Sequence, residues 1–422
     1  MDKKNKKLIQ ALVDRLLKLK ASDVSYETLE LLALFVIYVV DNEYYKTSPA
    51  YGYTEKLRTE VQKLSQERDS IKELLAPVLK CINSNTTILE ETIDGFASHY
   101  GEYGNQGLDN INYLISLFED FKGPFIKDLI TPGAILELCN NISGLGRNER
   151  VLDLFARKGE WSDLLSQETS IRYESLSDFC FDPLHYVISS LKSKMCYRHG
   201  RHTSLHSNYE LGDIKQNHYD VVFANPPFSS IPIETSGAPK AKLHSQFLYQ
   251  ALKACKQNGK VICIMPESFL SRGDRFDYEL REKLVKDGLL KSVIRLPNSS
   301  FRPYTTVHTA ILIIEKAASS SDVVFINLTK HSKGILEHDT QSITALVQGK
   351  AIETKVAHSI TDLSKIEGSK FDLRPSIYIK KCVDEITESP DELKQKINQK
   401  EQELEVVRSK IARLIESMEI AS

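Results

Sequence analysis

From residue 151 onward the chain alternates short apolar runs with longer helical stretches, and this alternation limits its fold more than any other feature. The runs occupy residues 151–155, 176–181, 220–224, 260–265, 292–296 and 309–314, with a further one at 322–328. A strand wet on one face alternates apolar with polar residues, whereas Val221-Val222-Phe223-Ala224 is apolar on both. Both faces must then be covered, and the intervening helices are what can cover them. The expectation is an α/β fold around a mainly parallel sheet.

The chain ahead of this region reads as helical. Leu8, Leu12 and Leu16 recur at one-turn spacing, residues 31–40 form a buried helix, and Leu57, Val61, Leu64, Ile71 and Leu74 follow a seven-residue pattern. The domain plan is a helical domain at 1–107, an α/β domain at 108–330, a polar connecting region at 331–388 and a terminal helix at 389–422. Ser389 suits its N-cap, Pro390 its first position, and Glu392 completes a capping box. Leu393, Ile397, Leu404, Val407, Ile411, Leu414 and Met418 then step by fours and threes, with Lys400 at one seam position, which is a coiled-coil pattern. A single seam flanked by charges calls for a partner stripe on another subunit.

Composition narrows the function classes. The apolar run at 31–40 is too short to span a bilayer, which takes about 18 residues or more, so a cytoplasmic, non-membrane protein is expected. Seven scattered cysteines form no Cys-x-x-Cys pair, which argues against a zinc site or a disulfide framework, and no metal is expected. With a formal net charge of −2, any contact with nucleic acid must be local or shared with a partner. The best local basic cluster is Lys192, Lys194, Arg198, His199, Arg201 and His202, which reads either as a phosphate track or as the solvated end of a helix.

Asn225-Pro226-Pro227-Phe228 follows directly on the 220–224 run. Ligands of open α/β sheets gather where parallel strands end. Proline fixes its own φ and drives the preceding residue out of the α region, so the Asn225 side chain and the Pro226 carbonyl are held in set directions as acceptors. Phe228 adds an aromatic face on which a ring can stack. Such a group grips a planar exocyclic amine; the alternative is a strand that merely stops at a proline turn.

These residues, in this order, resemble the N6-adenine DNA methyltransferases, most closely the modification subunits of type I restriction-modification systems. The resemblance covers roughly 108–316: a helix at 110–121, Ile130-Thr131-Pro132, a helix at 134–141, Val151-Leu152-Asp153-Leu154-Phe155-Ala156-Arg157-Lys158-Gly159, the Asn225 tetrapeptide, Ser245-Gln246-Phe247-Leu248, and Asn258 to Pro266. It implies an S-adenosylmethionine-dependent methyltransferase fold, Rossmann-like, with seven strands. It also implies methyl transfer from S-adenosyl-L-methionine to the N6 of a flipped adenine in double-stranded DNA. Asn225, Pro226, Pro227 and Phe228 would then be catalytic, while Ile130, Thr131, Pro132, Asp153, Phe155, Gly159 and Asp182 would bind the cofactor. Glu174 rivals Asp182 for the ribose, because strand placement around 172–178 is open.

The implied partners are a specificity subunit on the C-terminal helix, a restriction subunit and a second copy of the chain. One departure stands out: Arg157 and Lys158 occupy positions where the family favours small residues. Hence a second reading is a catalytically impaired, methyltransferase-fold DNA-binding or scaffold subunit. A third keeps the chemistry but makes the acceptor an RNA base or a protein amide.

Overall fold

The computed structural model describes residues 3–19, 24–44, 52–100, 107–122, 131–146, 148–165, 172–175, 183–198, 202–205, 214–226, 232–233, 240–271, 274–298, 300–301, 305–317, 321–329, 335–350, 352–379, 394–395, 397–405 and 408–409. Contacts divide the chain into a large unit, Met1–Ile379, and a small one, Lys380–Ser422.

The large unit opens with six helices, α1 (Lys3–Leu17), α2 (Tyr26–Tyr44), α3 (Tyr53–Ser65), α4 (Asp69–Ser84), α5 (Thr86–Tyr100) and α6 (Gly107–Lys122). As expected, residues 31–40 lie on a helix, and all ten are buried. Helix α2 is apolar on every side because the others surround it. The seven-residue pattern is not one helix, however. Helix α3 stops at Ser65 and α4 begins at Asp69, so Leu57, Val61 and Leu64 are buried from one helix and Ile71 from the next. A turn breaks the phase, and Leu75 is buried where the pattern named Leu74.

Among the described residues the sheet has nine strands, in the order β11-β10-β8-β9-β7-β4-β1-β2-β3. The strands are β1 (Arg150–Asp153), β2 (Arg172–Ser175), β3 (His202–Leu205), β4 (Tyr219–Ala224), β7 (Cys255–Pro266), β8 (Leu290–Arg295), β9 (Thr309–Glu315), β10 (Asp322–Asn327) and β11 (Ala357–Asp362). A separate small hairpin pairs β5 (Pro232–Ile233) with β6 (Ala241–Lys242). Strand β9 runs antiparallel between β7 and β8, and β11 runs antiparallel on β10; the other pairings are parallel. Strands β3 and β11 have no counterpart among the expected apolar runs, whereas β10 falls on the expected run at 322–328; β11 belongs to a stretch whose low hydrophobic periodicity hid it. It is an edge strand exposed along much of its length, so few of its positions had to be apolar.

Period-two alternation sorts the sheet's side chains into two cores. Val221 and Phe223 join Ile262, Ile264, Ile311 and Ile313 beneath α7 (Gly133–Ser143) and α13 (Ile335–Val347). Val222 and Ala224 join Val261, Cys263 and Leu312 beneath α10 (Leu243–Ala254) and α12 (Arg275–Lys286). Helix α9 (Pro183–Arg198) instead sends Leu184, Val187, Ile188, Leu191 and Met195 into the core of the front helices. Of the basic cluster, Lys192 is buried on that helix and so does not track phosphates on the surface, while the side chains of Arg198, His199, Arg201 and His202 lie outside those described.

Strand β2 lies at Arg172–Ser175, paired with β1 on one side and β3 on the other, while the expected run at 176–181 lies outside the described residues. In the small unit the described residues from 394 to 409 are helical, with Ile397 56% and Leu404 52% exposed, while Leu393, Val407, Ile411, Leu414 and Met418 lie outside the described residues.

Candidate functional site

Strand order reverses between the parallel neighbours β1 and β4: β2 and β3 extend one way from β1, and β4 starts the other half. At such a switch point the loops leaving adjacent parallel strands splay apart and open a crevice at their carboxyl ends. The two loops here are 154–159 after β1 and the Asn225 turn after β4, and Asp153 lies opposite Phe223 in the register. The sheet thus brings together two segments that the sequence separates widely.

Asn225 is 1% exposed, with its Nδ2 donating to Thr131 Oγ1 at 2.6 Å. Its Oδ1 has no hydrogen-bond partner among the described residues. A buried amide oxygen left unpaired costs about 1–3 kcal/mol, so its retention calls for a donor that arrives from outside. Thr131 is itself 3% exposed and stands just ahead of α7, but it does not cap that helix. Pro132 occupies the N-cap position without a side-chain bond, which leaves the threonine hydroxyl to Asn225. Pro226 is buried next in line.

The loop after β1 is a tight turn. Asp153, 1% exposed, accepts from the Phe155 backbone N–H at 3.3 Å, and Gly159 N donates to the Ala156 carbonyl at 2.6 Å. Both Arg157 (φ 46°) and Gly159 (φ 77°) take left-handed backbone conformations. At Gly159 this is the conformation for which glycine pays no steric penalty, and it lets the backbone pass close to a ligand. Arg157 keeps a glycine-like backbone under a large side chain. Its Nη2 donates to the Asn225 backbone carbonyl at 3.1 Å, its guanidinium lies 5.2 Å from the Phe155 ring centroid, and Ser189 Oγ on α9 donates to its carbonyl.

Charges in this region are buried rather than solvated: Arg157 and Lys158 are 4% and 3% exposed. Glu160, at the start of α8 (Glu160–Leu165), has its carboxyl pushed above the usual carboxylate range by burial, with Arg157, Lys192, His185 and Lys158 pulling the other way. Aromatic packing fixes the walls, as Trp161 leans on Phe223 at 4.6 Å and Phe155 meets Phe247 edge-on at 5.6 Å.

Thr131 and Asn225 are thus in direct contact, each with a proline next in sequence (Pro132, Pro226), and Asp153, Phe155 and Gly159 lie on the turn after the neighbouring strand β1. Ile130, Asp182, Pro227 and Phe228 lie outside the described residues. Glu174, the rival of Asp182, sits in β2 level with Leu152 and Ser204. Sequence reasoning missed that Thr131 touches Asn225 and that Arg157 reaches the Asn225 backbone. No local signal announces either contact, because each joins residues 68 or more positions apart.

Comparison with known proteins agrees with this architecture. Residues 193–386 match the N-6 DNA methylase family, a span that takes in the Asn225 turn. A 115-residue stretch is 28% identical to the methylase subunit of the type I restriction enzyme EcoEI of Escherichia coli, spanning 25% of this chain and only 23% of that protein. The methyltransferase subunit of the type I restriction-modification system of Streptococcus thermophilus shares the fold with a TM-score of 0.66 at 18% identity, over 89% of this chain and 100% of that one. A chain of Vibrio vulnificus YJ016, assigned as a type I modification subunit, does so with a TM-score of 0.63 at 14% identity, over 86% and 93% of the two chains. The chain thus carries the N-6 DNA methylase signature over residues 193–386, on the fold of type I restriction-modification methyltransferase subunits.

Proposed function

We propose that this chain is the modification subunit of a type I-like restriction-modification system, a site-specific methyltransferase acting on adenine N6 in double-stranded DNA. The observation that carries the reading is the Asn225 side chain, whose Nδ2 is engaged by Thr131 while Oδ1 is buried and unpaired. An exocyclic amine supplies the missing donor, and the family match spans this residue.

S-adenosyl-L-methionine is the cofactor of this reading, and the methyl group it carries is what the amine receives. The residues fit it in their backbone, since the 154–159 turn keeps its left-handed positions and Asp153 shapes its entry. Thr131, Pro132, Asp153, Phe155 and Gly159 would border it; Ile130 and Asp182 are carried by resemblance alone. Asn225 Oδ1 and the Pro226 carbonyl would each accept from the amine, which draws the nitrogen lone pair out of ring conjugation and aims it. Adenine must leave the duplex to reach them, at a cost of a few kcal/mol that stacking on Phe228 would offset in part.

Target choice is assigned to a separate specificity subunit, bound through the C-terminal helix. Its exposed Ile397 and Leu404 suit that role, and a restriction subunit and a second copy of the chain complete the assembly. Mapping N6-methyladenine across the genome of the native host, with and without Asn225→Ala, tests the function. Methylation at a defined site, abolished by the substitution in a folded protein, is the expected result; an unchanged pattern would refute the assignment.

A second reading has one specific observation in its favour. Arg157 and Lys158 bury two cationic side chains in the donor loop, which suits a scaffold subunit that keeps the fold without the reaction. Calorimetry separates the two, because a scaffold of that kind binds no S-adenosyl-L-methionine, alone or with its partners and DNA. An RNA base or protein amide as acceptor would instead leave methyl transfer intact and the genome unmarked.

A further inference from the structure

We propose that Arg157 is a positioning residue, whose guanidinium ties the loop after β1 to the turn after β4 and so sets the backbone of the acceptor turn. The inference rests on reading the crevice as a methyl-transfer site. It reverses the sense of the Arg157 substitution, from an obstruction in the donor loop to a brace between the donor and acceptor sides.

Three observations carry it. First, Arg157 Nη2 donates to the Asn225 carbonyl at 3.1 Å from a side chain only 4% exposed. A charge-assisted bond shielded from water is both strong and directional. Second, the guanidinium also lies 5.2 Å from the Phe155 ring centroid, and Ser189 Oγ on α9 donates to the residue's backbone carbonyl, so the side chain and the backbone it springs from are each held. A donor anchored in this way cannot follow a drifting acceptor. Third, Arg157 sits at φ 46°, where glycine would be the less strained choice. A side chain kept at such a position makes a contact that glycine could not make.

The consequence lies in the dihedral angles. Fixing the Asn225 carbonyl fixes the plane of the Asn225–Pro226 peptide unit, and the proline ring fixes the next φ. Only the Pro226 ψ is then left to aim the Pro226 carbonyl, the second acceptor of the proposed reaction. Asn225 is held at both ends, its side chain by Thr131 and its backbone by Arg157. Losing the second hold loosens the acceptor geometry without removing any atom that touches the donor.

The test uses the complex purified from the native host through a tag on this chain, with genomic DNA from a host lacking the chain as substrate. Donor affinity is read by calorimetry and methyl transfer in single turnover for wild type, Arg157→Ala, Arg157→Lys and Arg157→Gly. Arg157→Ala should bind S-adenosyl-L-methionine within about threefold of wild type yet transfer about tenfold or more slowly, a split that a general loss of folding would not give. Arg157→Lys should fall between, since one ammonium reaches a carbonyl but lacks the rigid fork. Arg157→Gly relaxes the backbone, so it stays folded and should show the same slow transfer. Tighter donor binding with equal or faster transfer in the Ala or Gly variant would make Arg157 an obstruction and overturn the inference, as would unchanged kinetics in every variant. A wild-type complex that neither binds donor nor methylates the DNA overturns the underlying reading instead.

Discussion

Asn225 and Thr131 are 94 positions apart in sequence and 2.6 Å apart in space, where the threonine hydroxyl takes the amide N–H of the asparagine and leaves its carbonyl oxygen without a partner. An asparagine amide can turn end for end, and only its neighbours decide which end faces the crevice. Here Thr131 engages the N–H end. Replacing Thr131 by Val keeps the volume but removes the acceptor, so methyl transfer should slow by about tenfold, worth ~1.4 kcal/mol, with donor affinity little changed. Thr131→Ser should recover most of the rate. Equal rates for Val and wild type would show that the asparagine orients itself.

Gly259 lies within β7 at a point where two strands approach closely. A methyl group there would come within 2.6 Å of Cys255 Sγ, 2.7 Å of the Asp220 carbonyl and 3.1 Å of the Tyr219 carbonyl. Two of the three are backbone oxygens, and they belong to β4, which ends at Ala224 just before Asn225. Gly259→Ala should therefore destabilise the fold by about 1–3 kcal/mol, measured by urea unfolding.

His244 gives the protein a graded sensitivity to acid. Burial pushes its pKa down to about 4; Asp277 and Asp274 oppose the shift and Lys242 adds to it. The ring is 3% exposed, meets Phe269 edge-on, and has no hydrogen-bond partner for either nitrogen among the described residues. The unfolded chain takes up a proton near pH 6.5 and the folded chain only near the lowered value, so stability rises with pH between the two. The contribution is complete above about pH 6.5 and is lost as pH falls towards 4, at about 2 kcal/mol between pH 7 and pH 5. His244→Phe should lose about that much less stability than wild type over the same interval in urea melts. Parallel losses in the two proteins would assign the acid sensitivity to other groups.

The C-terminal helix should matter for assembly and not for folding. Ile397 and Leu404 are more than half exposed, so Ile397→Glu with Leu404→Glu should change the chain's own stability by no more than about 0.5 kcal/mol. Glutamate also keeps helix propensity. Co-purification from the native host should nevertheless lose a subunit, and retention of every subunit would place the partner contact elsewhere.

The sheet, its cover of helices and the end of β4 ahead of Asn225 were legible in the sequence, because buried strands must be apolar on both faces and prolines mark where they stop. Strands β2, β3 and β11 were not anticipated, since Arg172-Tyr173-Glu174-Ser175, His202-Thr203-Ser204-Leu205 and the exposed edge at 357–362 have no apolar pattern to betray them. Residue types and their order thus named Asn225, Thr131 and the Arg157 loop one by one. Only the tertiary structure decided that the three meet, because strand order at the β1/β4 switch point is set by non-local pairing, which no local pattern encodes.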